Sequence, residues 1–178
     1  MKINSLDLNG LYELISYEKK DNRGSFINLF RVDNEQFHKI WANRKIVQIN
    51  ISNNKNVGTI RGLHMQEAPY SEAKIVRCLQ GKVWDVAVDL RPDSDTYCCW
   101  CAVELSPEKL NSIFIPEGFA HGFQVLKRDS QLLYLHTGEW KADAEKGVRW
   151  DDLKLAIKWP LPLTEISSKD QFLPYLSI

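Results

Sequence analysis

An arginine and a histidine lie close together in TIRGLHMQ, residues 59–66, where apolar and polar residues alternate as in a β-strand. A lone histidine on a strand is most often a hydrogen-bonded residue of the core. The alternative is that Arg61 and His64 line a wet site that performs chemistry, since the near-neutral pKa of an ordinary histidine suits it to proton transfer. This stretch alone leaves both interpretations open.

Other polar residues also occupy strand positions where a packed core would have apolar ones. Gln48 and Asn50 share a face of one predicted strand, Asp85 and Tyr134 lie within apolar runs, and Lys74 opens another strand. Burying an unpaired lysine or aspartate is costly, so each residue alone is well explained as outward-facing or paired. Together they favour the polar lining of a small barrel that holds a ligand.

The elements that must position these residues are mostly strands. Apolar or alternating runs, bounded by Gly, Pro, Asp or Asn, predict strands at 45–52, 73–80, 81–90, 97–105, 111–116, 122–127 and 131–137. Many short strands at this spacing are typical of an antiparallel sandwich or barrel. A helix is predicted over 33–43, where Asp33 and Gln36 have capping-box spacing. The segment after Gly147 is expected to pack onto the barrel, which makes 1–178 one domain.

Composition excludes several classes of protein. Of the 178 residues, 44% are hydrophobic and 26% are charged, as in an ordinary globular protein. The 23 basic and 23 acidic residues balance, which gives no support to a nucleic-acid or membrane partner. No run approaches a membrane span and the N-terminus lacks the apolar core of a signal peptide, so we expect a cytoplasmic protein. Three of the four cysteines lie in YCCWC, whose spacing matches no zinc framework.

Several motifs along the chain together form a family signature. They are DNRGSF (21–26), QIN (48–50), RGLHMQ (61–66), the lysine of EAKIVRC (72–78), GKVWDVAVDLR (81–91), IPEGFAHGF (115–123), Tyr134, Trp140, EKGVRWDD (145–152) and SSKD (167–170). With these motifs the chain resembles the dTDP-4-dehydrorhamnose 3,5-epimerase family nearly end to end. The resemblance implies an all-β fold, a cupin jelly roll (double-stranded β-helix barrel) with a few short helices. It also implies a homodimer formed by strand pairing, for which the apolar N-terminal strands are candidates.

The activity implied by this resemblance is epimerisation at C3, C5 or both of a nucleotide-linked 4-keto-6-deoxy hexose, expected to be dTDP-linked, in rhamnose-type deoxysugar biosynthesis. The ketone acidifies the neighbouring C–H bonds, so the enzyme needs a base, an acid on the opposite face, and positive charge at the enolate oxygen. His64 matches the family's base, and Asp170 matches the carboxylate that orients it. Lys74 matches the residue that stabilises the enolate, and Tyr134 matches the proton donor. No metal or other cofactor is implied.

The resemblance also implies a set of substrate-binding residues. Arg23 and Arg61 match contacts to the nucleotide diphosphate and sugar, and Trp140 falls where an aromatic stacks on the nucleobase. Asn28 stands where the family usually has glutamate, and Met65 where it commonly has an aromatic. The remaining binding positions are Phe26, Gln48, Asn50, Asp85, His121, Glu145 and Lys169. Of these, Asp85 is expected to support the site by hydrogen bonding with neighbouring polar groups.

Three alternatives accompany this interpretation. The first is a C3-only or C5-only epimerase that acts on a different sugar, linked to CDP or GDP. The second is a non-catalytic sugar-nucleotide-binding cupin, but a binder needs no acid and base on opposite faces. The third is a metal-binding cupin, which uses an H-x-H pair; here His64 is followed by Met65 and Gln66, so we expect no metal.

Overall fold

A computed structural model describes residues 1–177 of the chain. The strands are β1 (Lys2–Ser5), β2 (Tyr12–Ile15), β3 (Glu18–Asp21), β4 (Gly24–Ile27), β5 (Gln48–Asn54), β6 (Ile60–Gln66), β7 (Lys74–Asp89), β8 (Trp100–Leu105), β9 (Asn111–Ile115), β10 (Phe119–His136) and β11 (Glu145–Gly147). The helices are α1 (Glu35–Trp41), α2 (Ser168–Gln171) and a 3₁₀ turn at Ala142–Ala144. Within residues 1–177, no helix has the length and apolar character needed to cross a bilayer. The all-β prediction is confirmed.

Two long strands, β7 and β10, pair with each other and each changes its outer partner halfway along. The first half of β7 pairs with β9 and the second half with β8. The first half of β10 pairs with β6 and the second half with β5. The pairing therefore forms two sheets that share the bent strands, with β1 and β2 extending one sheet and β11 the other.

Four of the predicted strands are joined in pairs in the structure, which gives two continuous strands. The ranges 73–80 and 81–90 join as β7, because the chain passes through Gly81 at φ +79° without ending the strand. A Cβ at this glycine would lie 2.7 Å from the Cα of Ser130, so only glycine fits the bend. The ranges 122–127 and 131–137 join as β10, which has register shifts against β7 between Val125 and Leu132.

Several predicted boundaries were wrong, among them those of the helix and of β5. The helix begins at Glu35 rather than 33, and its cap is Asn34, whose side chain accepts a hydrogen bond from the backbone N–H of Phe37 at 2.9 Å. Asp33 does not cap the helix, because its carboxylate pairs with Arg31 instead. Strand β5 runs over Gln48–Asn54 rather than 45–52.

The main core lies between the two sheets. Val76 and Leu132 from one sheet meet Ala87 and Phe123 from the other in one buried cluster. A second cluster covers the outer face of the β6-containing sheet, where Leu155 from the C-terminal segment is 4% exposed. The segment after Gly147 thus packs onto the barrel, as its sequence predicts.

Two glycines of the sequence motifs pack backbone against backbone where β6 meets β10. Gly62 has φ +111°, and a Cβ on it would lie 2.6 Å from both the Cα of Gly122 and the carbonyl oxygen of His121. We expect Gly62→Ala to lower the free energy of unfolding by about 1–3 kcal/mol, measured by urea denaturation. Gly24→Ala is the matched control, because Gly24 also has positive φ but nothing lies within 4 Å of its Cβ position. Equal losses in the two variants would contradict this account of the motif.

Candidate active site

A cavity of about 720 Å³ lies between the sheets, a volume in the range of small-molecule sites. Strand register sets its lining on one side: His136 pairs with Lys74 on β7 and with Gln48 on β5, and in the next row Tyr134 pairs with Asn50. Directly opposed residues project from the same face of a sheet, so these side chains cluster. The sequence-predicted residues that line the cavity are Asn50, Arg61, His64, Lys74, His121, Tyr134, Trp140, Glu145, Lys169 and Asp170.

His64 is held by Asp170 across 106 positions of sequence. Its Nε2 lies 2.7 Å from Asp170 Oδ1, while Oδ2 of the same carboxylate accepts a hydrogen bond from the backbone N–H of Gly62 at 2.9 Å. Burial alone would raise the pKa of Asp170, but the hydrogen bonds from His64 and Gly62 outweigh it, and this pKa lies below its usual value. An ionised carboxylate only accepts, so Nε2 is the donor to Asp170, and in the neutral imidazole Nδ1 is the nitrogen with the free lone pair.

Tyr134 stands on the facing sheet. Burial raises the pKa of its phenol, so the side chain is protonated at neutral pH. Its hydroxyl lies 3.5 Å from the hydroxyl of Ser52, a cavity residue that the sequence analysis did not single out. The tyrosine is therefore in the form that can donate a proton.

Lys74 is 7% exposed and its ammonium lies 3.1 Å from Glu72. The other oxygen of Glu72 lies 2.9 Å from Nδ1 of His136. Sequence reasoning missed both of these partners. The signal for His136 was its place two residues after Tyr134, on the same face of one strand. Glu72 precedes its strand, so no alternation could identify it.

Two of the expected binding residues do not line the cavity themselves. Asp85 is completely buried and its Oδ2 lies 2.9 Å from Nε2 of His121, so it contacts the cavity histidine and not the cavity. Burial raises the pKa of this carboxyl. Gln48 is also absent from the lining, and its side-chain oxygen accepts a hydrogen bond from the backbone N–H of Trp140 at 3.2 Å. Both residues contact others that line the cavity: Asp85 holds the His121 ring, as expected of a supporting residue, and Gln48 holds the backbone of Trp140.

Three further charged and aromatic groups meet at the mouth of the cavity. Trp140 is 57% exposed and its indole N–H donates to Glu145 at 2.8 Å. The same carboxylate pairs with Lys169 at 2.7 Å. Burial tends to raise the pKa of Glu145, but Lys169 and Trp140 outweigh it and the pKa is lowered. An exposed indole and basic side chains suit an aromatic ring joined to an anion.

Three predicted binding residues at and just after the β3–β4 hairpin do not line the cavity. This hairpin forms a separate two-stranded sheet. Arg23 pairs with Asp21 of its own hairpin at 2.6 Å, and Phe26 is 68% exposed. Asn28 follows the hairpin and is also exposed. Arg23, Phe26 and Asn28 therefore line no part of the cavity in this chain.

The three cavity histidines are each bonded to a carboxylate, as described above. Across residues 1–177, no three or more His, Cys, Asp and Glu side chains converge in an arrangement that could hold a metal ion. The histidines and carboxylates of the cavity are thus arranged as separate pairs.

The sequence and the fold both match those of known proteins. The family model for dTDP-4-dehydrorhamnose 3,5-epimerase matches residues 5–177. The chain belongs to this family. An enzyme of that name from Sinorhizobium fredii is 42% identical over 88% of this chain and 80% of its own length. A dTDP-4-dehydrorhamnose 3-epimerase from Streptomyces niveus is 34% identical over 96% and 82%.

A solved structure of a family member extends the likeness to three dimensions. The dTDP-4-dehydrorhamnose 3,5-epimerase from Bacillus anthracis, determined with TDP and pyrophosphate bound, superposes with a TM-score of 0.92 and 34% identity. The match covers 98% of this chain and 99% of that one. The resemblance inferred from the motifs and the cupin-type fold are therefore confirmed.

Proposed function

We propose that the protein epimerises a dTDP-linked 4-keto-6-deoxy hexose at C3 and C5 through an enolate, in rhamnose-type deoxysugar biosynthesis in the cytoplasm. One observation carries this proposal. His64, with its Asp170 partner, stands on β6 in one sheet, whereas Tyr134 and Lys74 stand in the other sheet across the same cavity. A base and an acid on opposite walls are what inversion of a carbon centre needs.

The proposed first step breaks the C–H bond next to the ketone. Nδ1 of His64 takes the proton, and the electron pair of that bond moves into the carbonyl group to give an enolate. Asp170 stabilises the imidazolium that forms, as in other His–Asp pairs. The Lys74 ammonium offsets the developing charge on the enolate oxygen, a preorganised electrostatic effect.

The proposed second step restores the C–H bond on the opposite face. Tyr134 donates its phenolic proton to the enolate carbon, the carbonyl re-forms, and the centre is inverted. The tyrosinate and the imidazolium then exchange protons with water, which returns both groups to their starting states. The same pair of steps at the second carbon completes the reaction.

The nucleotide is assigned to the mouth of the cavity. Trp140 offers an exposed indole face for the base, and Arg61 and Lys169 offer positive charge for the diphosphate. The Bacillus anthracis relative, determined with TDP and pyrophosphate, supports a ligand of this chemistry. His121, supported by Asp85, and Asn50 are assigned to the sugar.

A 3-epimerase is the second candidate, because the Streptomyces niveus relative bears that name. Mass spectrometry of the product formed in D₂O separates the candidates, since one deuteron enters at each carbon that is deprotonated. dTDP-, CDP- and GDP-linked 4-keto sugars are tested in parallel. We expect two deuterons with the dTDP sugar, whereas one deuteron favours the 3-epimerase and none with any sugar defeats both candidates.

We further propose that the active form is a homodimer. Strand β5 directs Asn50 and Ser52 to the cavity, whereas Ile49 and Ile51 of the strand are 59% and 55% exposed, and Val47, just before the strand, is 50% exposed. A second copy that covers this apolar strip would bury it and would explain the solvent-exposed hairpin that carries Arg23 and Phe26. Strand β1, at the end of its sheet, offers a further free edge for pairing.

The dimer predicts that Ile49→Asp converts the protein to a monomer, because a charge in a buried interface is costly. Size-exclusion chromatography with light scattering gives the mass directly. Leu153→Asp is the control, since Leu153 is 89% exposed but lies in the C-terminal segment. A wild-type protein with the mass of one chain would contradict the dimer.

A further inference from the structure

Two side chains at the cavity wall, Glu72 and His136, have no part in the steps proposed above. Glu72 accepts a hydrogen bond from Nδ1 of His136 on one carboxylate oxygen and pairs with Lys74 on the other, at 2.9 Å and 3.1 Å. The side chains of Glu72, Lys74 and His136 are 9%, 9% and 12% exposed. A buried carboxylate with two cationic or N–H partners is fixed in place, because losing either partner leaves an unpaired oxygen.

The charge state of Glu72 agrees with this geometry. Burial by itself would raise the pKa of the carboxyl, but the hydrogen bond from His136 and the charge of Lys74 outweigh burial and lower it. Glu72 is therefore an anion at neutral pH. An anion accepts only, so Nδ1 of His136 is the donor and carries a proton.

His136 also contacts the proton donor of the site. Its ring stacks on the ring of Tyr134, with centroids 5.8 Å apart and planes 13° apart. Its Nε2 lies 3.4 Å from the side-chain nitrogen of Asn50. The His136 imidazole thus contacts both Glu72, which is the partner of Lys74, and the ring of Tyr134.

We propose that Glu72 and His136 form a positioning pair that holds the Lys74 ammonium where the enolate oxygen develops, with the His136 ring setting the orientation of Tyr134. This inference rests on the proposed function, because it assigns the pair to the same reaction. Without the His136 donor, the free oxygen of Glu72 competes for Lys74 and draws the ammonium away from the enolate. The binding of the nucleotide, at the mouth of the cavity, does not depend on the pair.

Two substitutions of His136 separate its hydrogen bond from its ring. His136→Asn keeps an N–H donor near the position of Nδ1, whereas His136→Phe keeps an aromatic ring and removes the donor. We expect His136→Phe to lower kcat by about 10- to 100-fold with KM changed less than about threefold, since a transition-state contact is weakened. Because it keeps the donor and loses only the ring contact with Tyr134, His136→Asn is expected to retain more than about one fifth of the wild-type kcat.

A double-mutant cycle tests whether the two residues act as one unit. Glu72→Gln should lower kcat about as much as His136→Phe, and the double variant should be no slower than the slower single variant. Multiplied losses in the double variant would overturn the pair. An unchanged kcat in His136→Phe, or equal losses in His136→Phe and His136→Asn, would also overturn it.

The protonation of the His136 ring in the wild-type protein is a second readout, which does not depend on the activity of the variants. The ¹⁵N resonances of the His136 ring, assigned by their loss in His136→Asn, should show a protonated Nδ1 whose shift changes in Glu72→Gln. An unprotonated Nδ1 would overturn the pair. Failure of the proposed function looks different, because the wild-type protein itself would then exchange no sugar proton.

Discussion

Replacing His64 by alanine is expected to lower the rate of deuterium exchange at the sugar by about 10³- to 10⁴-fold, since it removes the base. Asp170→Asn should also slow exchange, because a neutral amide stabilises the imidazolium less well than the carboxylate 2.7 Å from Nε2. The rates are measured by NMR in D₂O under single-turnover conditions, which separate proton transfer from product release.

The matched control for this variant is His38→Ala. His38 lies on α1, is exposed, and is absent from the cavity lining, so its loss should leave exchange unchanged. The dissociation constant of dTDP, measured by calorimetry, should be similar in all three variants because the proposed nucleotide contacts are Trp140, Arg61 and Lys169. Exchange at the wild-type rate in His64→Ala would show that another group is the base.

Replacing Tyr134 by phenylalanine is expected to uncouple exchange from inversion. The variant keeps the base, so it still deprotonates the sugar, but it lacks the acid on the opposite wall. The enolate then regains a deuteron from the side of His64, which labels the carbon without inverting it. We expect inversion to fall by about 10²- to 10⁴-fold while exchange falls much less.

Both outcomes are read from the same NMR spectra, since the coupling constants of the ring protons report configuration and the loss of signal reports exchange. Tyr97→Phe is the control, because Tyr97 is exposed and lies outside the cavity lining. Equal losses of exchange and inversion in Tyr134→Phe would contradict the assignment of the tyrosine as the acid on the opposite face.

The strand alternation was enough to predict which residues share a face, but not where the strands bend. In β5, Asn50 and Ser52 share a face as predicted, and both line the cavity. The continuity of β7 through Gly81 depends on the contact with Ser130, which is distant in sequence. A residue that commonly ends a strand therefore serves here as a bend within one.

Local sequence could likewise identify some of the site residues but not others. Tyr134 breaks an apolar strand pattern, and His64 and Lys74 lie on strands that are otherwise largely apolar, so local sequence could identify all three. Asp85 breaks a pattern too, but burial places it behind His121 rather than in the cavity. Glu72 lies in a loop, and only the pairing of β7 with β10 brings it to His136. Such contacts depend on register, which no local pattern specifies.

The residues of the β3–β4 hairpin illustrate a different limit. Arg23 and Phe26 match the family pattern, yet in one chain they stand on an exposed hairpin outside the cavity. In the proposed homodimer, their predicted role depends on how the two chains are arranged. The light-scattering experiment on Ile49→Asp therefore also bears on whether these residues can reach substrate.

The central claim is that a base and an acid on opposite sheets invert carbons beside a ketone. The most direct test is NMR of the wild-type protein with a dTDP-4-keto-6-deoxy hexose in D₂O. The account predicts that the signals at C3 and C5 disappear and that the carbons of the product are inverted, with no added metal or cofactor. Retention of both proton signals over many hours, by a folded protein that binds dTDP in a separate experiment, would contradict it.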